Sequence, residues 1–129
     1  VLHHDHLANF ARQALLEALT TADKRPAHSR VWQLHAAEIR RLGLIRFDPR
    51  YVCEACNNCD GRGKDRHYKG RSTPIYPASF SMTPDELHAV RIAADWDEVA
   101  PAIWEAARED HCRRREAISR WAADLAASV

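Results

Sequence analysis

Three cysteines, Cys53, Cys56 and Cys59, fall in the run Cys-Glu-Ala-Cys-Asn-Asn-Cys, and Gly61 and Gly63 follow at once. This segment constrains the chain more than any other. It is too polar and glycine-rich to hold a shape by burial, and thiols this close together do not form an ordinary disulfide framework. Two cysteines separated by two residues turn both sulfurs toward one tetrahedral ion, and turn amides donate to the thiolates. Glycine permits the close backbone approach such a turn needs, and Asn57 and Asn58 tolerate left-handed geometry. Residues 50–82, which also contain Gly70, Pro74 and Pro77 and lack helical periodicity, are therefore expected to form a metal-knuckle insert. Zinc is the expected ion, with Cys56 and Cys59 the best-placed pair. Cys53 supplies a third sulfur. The fourth ligand is either Cys112, which would staple the insert to the last helix, or His67, which would close the site within the loop. Cys-x2-Cys-x2-Cys with a distant fourth cysteine is also a 4Fe-4S spacing, so an iron–sulfur cluster is the alternative cofactor.

The stretch Cys56-Asn-Asn-Cys59-Asp-Gly61-Arg-Gly63 resembles the C-x-x-C-x-G-x-G knuckle of the cysteine-rich domain of Hsp40 co-chaperones and of zinc modules in phage Q-type antiterminators. Those families place two such knuckles around one zinc, and this chain has a single copy. The resemblance implies zinc at these cysteines and, through the antiterminators, a role in a transcription complex. No His-Pro-Asp loop of a J-domain accompanies it.

The rest of the chain reads as mainly α: about four helices in a single domain, 1–129, around a central irregular zinc-knuckle loop. Leu7, Phe10, Ala14, Leu15, Ala18 and Leu19 recur at helical spacing over residues 6–20. A polar loop with Pro26 follows. Ser29 is the expected N-cap of a second helix running to Leu42, with Trp32, Ala36 and Ile39 on one side and Gly43 closing it. Leu44-Ile45-Arg46-Phe47 suits a strand, and helix, loop, helix, strand is the order found inside a winged helix-turn-helix. A short β-hairpin is expected around Tyr68 and Ile75-Tyr76. Thr83, Pro84 and Glu86 make a capping box for a third helix, with Met82 and Leu87 as its staple. After Pro101, the residues Ile103, Ala107, His111, Arg114, Ile118, Trp121 and Leu125 form a long stripe suited to core packing or to a homo-oligomer.

The net charge of +1 hides a partition. Residues 24–50 and 60–71 are basic, whereas residues 84–110 hold eight acids against two arginines. Lysine and arginine suit phosphate, and Tyr68 suits stacking on an unpaired base. Arg40, Arg41, Arg62, Lys64, Arg66, Tyr68, Lys69 and Arg71 are thus the candidate nucleic-acid contacts. The leading expectation is a zinc-stabilised protein that binds nucleic acid or a transcription or replication complex. The alternative is a protein-binding regulatory or assembly module that uses the acidic surface and the last helix.

Membrane insertion is not expected, because no apolar run of about 18 residues occurs. The start carries no export signal, and the cysteine spacing suits a reducing, cytoplasmic setting. An enzyme is not expected either. There is no H-E-x-x-H, phosphate loop or serine elbow, and Asp65-Arg66-His67 lacks the further ligands of a ββα-metal nuclease. His3, His4, Asp5 and His6 read as a frayed, exposed start.

Overall fold

A computed structural model describes all residues, 1–129. It is mainly helical, with six α-helices rather than about four, two short 3-10 turns and one two-stranded antiparallel sheet. No helix is long and apolar enough to cross a membrane.

Strand β1 (Leu2–His3) begins the chain and pairs with β2 (Arg50–Tyr51), Leu2 opposite Tyr51 and His3 opposite Arg50. The start is therefore tied down rather than frayed. His3 and Asp5 are each 2% exposed. His3 Nε2 lies 2.7 Å from the Met82 carbonyl. The Asp5 carboxylate accepts the backbone N–H groups of Leu7 and Arg46, at 3.1 and 2.7 Å, although burial still pushes its carboxyl above the usual range.

Helix α1 (Leu7–Thr21) buries Leu7, Ala11, Leu15 and Leu19, one residue per turn. It ends where Asp23 takes φ 59° and Lys24 N–H returns to the Leu19 carbonyl at 2.7 Å. The helix expected over 29–42 is split into α2 (His28–His35) and α3 (Glu38–Arg41). The break at Ala36–Ala37 lets two core clusters be served. Val31 packs with Leu15, Leu19, Ala122 and Ala126, and Ile39 with Leu7, Ala11 and Ile118. Ser29 is not the cap, because a 3-10 turn over Arg25–Ala27 leads straight into α2. Gly43 closes α3 at φ 67°, with Leu44 N–H on the Ile39 carbonyl at 2.8 Å.

Leu44–Phe47 is not a strand, and the winged arrangement is absent. Arg46 explains why: its amide is used by Asp5, and its guanidinium reaches the Ser81 carbonyl at 3.1 Å and Glu86 at 2.8 Å. The expected knuckle loop is a helix, α4 (Glu54–Lys64). Glu54 in its first turn and Arg62 and Lys64 in its last complement the helix dipole. The hairpin around Tyr68 does not form; Ile75 and Tyr76 N–H groups both donate to the Gly63 carbonyl instead, at 2.8 and 3.3 Å.

Helix α5 (Pro84–Ile92) starts with the expected capping box, and Met82 and Leu87 share one buried cluster. Helix α6 (Trp96–Ser128) runs unbroken through Pro101. Its first half, from Trp96 to Ala107, lies against the cluster of Cys56, Cys59, Tyr76, Phe80, Met82, Leu87 and Val90. Ile118, Ala122 and Ala126 in its second half pack against α1, α2 and α3.

Candidate thiolate site

Backbone bonds between Val1 and Val52 extend the β1–β2 ladder to the residue before Cys53: Val52 N–H donates to the Val1 carbonyl at 2.8 Å, and the Val1 amine to the Val52 carbonyl at 3.0 Å. Cys53 then caps α4, its sulfur accepting the Cys56 N–H at 3.4 Å. Helix α5 supplies the third group. Arg91 Nη1 lies 3.3 Å from Cys53 Sγ and 4.0 Å from Cys56 Sγ.

The two thiols are neighbours with opposite tendencies. Cys53 is exposed, and its pKa is lowered by the Cys56 amide, then by the Cys56 thiol, with Arg91 adding to the effect. Burial raises Cys56, and its hydrogen bond with Cys53 adds to that rise. A sulfur at a helix start beside a guanidinium is thus predisposed to be a thiolate.

Cys59, one turn further along α4, is 4% exposed and packs in the Tyr76 and Phe80 cluster. Cys112 is exposed on α6, and His67 is exposed with its amide on Asp65. The structure brings Cys53 and Cys56 together. It does not gather three or more His, Cys, Asp or Glu side chains into a metal-binding group.

Most of the expected nucleic-acid contacts are engaged within the chain. Arg40 pairs with Asp48 at 2.8 Å and Arg41 with Glu38 at 4.0 Å. Lys64 is nearly buried, donating to Asp60 at 2.8 Å, to His6 Nδ1 at 2.7 Å and to Ser81 at 3.4 Å. Lys69 pairs with Asp97 at 2.8 Å, which raises its pKa. Arg71 donates to the carbonyls of Arg62, Tyr68 and Asp65. Tyr68 meets the edge of Trp96 at 5.7 Å and carries Arg62, Lys69 and Arg71 within 5.8 Å of its ring. Arg66 alone of this set has no ion-pair or ring partner.

Two parts of the site were not read from the sequence. Asp60, 4% exposed, accepts from the Tyr76 hydroxyl and the Met82 amide and anchors α4 to the chain beyond it. Its i,i+4 spacing to Lys64 is a helical signal that becomes visible only once α4 is known to be a helix. Arg91 carries no local signal, because its role depends on how α5 lies against α4. No protein-family model, curated protein or solved structure matches this chain.

Proposed function

We propose that this chain is a zinc-thiolate assembly protein, a helical scaffold that offers Cys53 and Cys56 as ligands to a thiophilic ion and uses that ion to join a partner. The observation that carries this reading is the Arg91 guanidinium donating to both sulfurs at the start of α4. Paired thiolates spaced by two residues are half of a tetrahedral zinc site, and a donor to the sulfurs offsets their charge. Elemental analysis and the visible spectrum of reduced protein purified without added metal test it. Bound zinc without colour supports the reading. Iron with a broad absorbance replaces it with the cluster, and free thiols with no zinc uptake overturn it.

A second reading, in which the partner is nucleic acid or a nucleic-acid complex, is supported by Arg66, which is exposed and unpaired, and by Arg62 beside Tyr68. Reversing Arg62 and Arg66 to glutamate tests that surface. Salt-sensitive binding that disappears supports it. Binding that is unchanged, or absent from the start, removes it.

A further inference from the structure

We propose that the ion held by Cys53 and Cys56 is shared between two copies of this chain, each supplying both sulfurs, so that zinc forms the link of a two-fold symmetric dimer. The proposal rests on the zinc reading above and names its partner. Three observations carry it.

The first is ligand count. A structural zinc takes four ligands. Here Cys53 is exposed and Cys56 beside it is 8% exposed; Cys59, one turn on, is 4% exposed in the same apolar cluster as Cys56, and Cys112 and His67 stand exposed on other elements. A two-fold axis through the ion duplicates the half-site and supplies the four sulfurs that a tetrahedron needs.

The second is charge. Four thiolates and one divalent zinc leave a net charge of about −2, since each thiol gives up its proton on binding. Each copy brings one Arg91, already 3.3 Å from Cys53 Sγ. Two guanidinium groups neutralise the shared centre. A single copy would leave its ion with a surplus positive charge and two positions for water.

The third is the rim. Tyr51, two residues before Cys53, is 80% exposed; its cross-strand partner Leu2 is 49% exposed, and Ile92, next to Arg91, is 70% exposed. A second copy joined at Cys53 would cover these side chains, which otherwise stand in water.

The test is a titration of the reduced, metal-free chain with zinc, followed by sedimentation velocity and native mass spectrometry. The expected result is a monomer that becomes a dimer carrying one zinc per two chains and reverts with a chelator. Cys53→Ser and Cys56→Ser each abolish the dimer, while Cys59→Ser and Cys112→Ser keep it. Arg91→Ala raises the zinc concentration at half-dimerisation by roughly tenfold, as the loss of a charge-assisted hydrogen bond predicts. A monomer that binds one zinc per chain overturns the shared site and leaves the zinc reading intact. A dimer that forms equally well without zinc also overturns it. No zinc uptake by folded, reduced protein overturns both.

Discussion

The ring of Tyr76 occupies the space that a side chain at Gly63 would need: a Cβ built there would lie 2.0 Å from Tyr76 Cζ and 2.2 Å from its hydroxyl oxygen. Gly63 is present in α4 for that approach, whereas a Cβ at Gly61 meets nothing within 4 Å. Gly63→Ala is expected to destabilise the fold by about 1–3 kcal/mol through overpacking. Gly61→Ala, two residues away, is expected to be neutral or to stabilise by up to about 1 kcal/mol, because glycine is a poor helix former. Urea unfolding of the two variants checks the difference, and equal effects would contradict the packing described.

Asp60 holds α4 to the chain beyond it through the Tyr76 hydroxyl and the Met82 amide, and it pairs within the helix with Lys64. Asp60→Ala leaves the Met82 amide without its partner and removes the counter-charge of Lys64, which keeps only His6 and Ser81, while the Tyr76 hydroxyl keeps the Asp60 backbone carbonyl at 2.9 Å; the change should cost about 3–5 kcal/mol. In a double-mutant cycle, Asp60→Ala and Tyr76→Phe should show a coupling of at least about 0.5 kcal/mol. Additive effects would mean that the 3.2 Å bond from the hydroxyl to the carboxylate contributes nothing, since the 2.9 Å bond to the Asp60 backbone carbonyl survives in Asp60→Ala.

His111 gives the fold a pH dependence. It is 1% exposed, it sits edge-on to Phe80 and Trp104 at 5.5 Å, and its Nδ1 has no partner. Burial lowers its pKa to about 4, with Arg115, Arg46 and Arg114 adding to the shift and Asp110 opposing it. The unfolded chain takes up this proton near pH 6.5, so the folded form is the less protonated one between the two values. The stability tied to neutral His111 is full above pH 6.5 and is lost as pH falls toward 4, by roughly 3 kcal/mol. His111→Phe removes this contribution, and its stability should fall less steeply over that interval in denaturant titrations at each pH.

Thr83 and Glu86 exchange two hydrogen bonds at the start of α5, at 2.8 and 3.2 Å. Thr83→Ala should cost about 1 kcal/mol, and Thr83→Ser should restore most of it. Thermal unfolding of both variants measures this.

The capping box and the apolar stripe of α1 could be read from the sequence because both are local: a few residues at set spacing decide them. Residues 50–82 could not. Gly61, Gly63 and the asparagines carry turn propensities, but Cys53 caps a helix that Asp60 and Tyr76 then hold by contacts distant in sequence. Arg46 likewise withdraws Leu44–Phe47 from a sheet through Asp5, 41 residues away. Cysteine spacing pointed to the segment in which Cys53 and Cys56 come near each other. Which sulfurs meet was decided by the pitch of α4 and by Arg91 on its neighbour.

Helix α6 has 33 residues and so spans about 50 Å. The cysteine-bearing cluster leans on one end of this rod and the α1–α3 clusters on the other. The helix therefore sets a fixed separation between the start of α4, with Cys53 and Cys56, and the far ends of α1 and α2, so that the two regions move as parts of one rod.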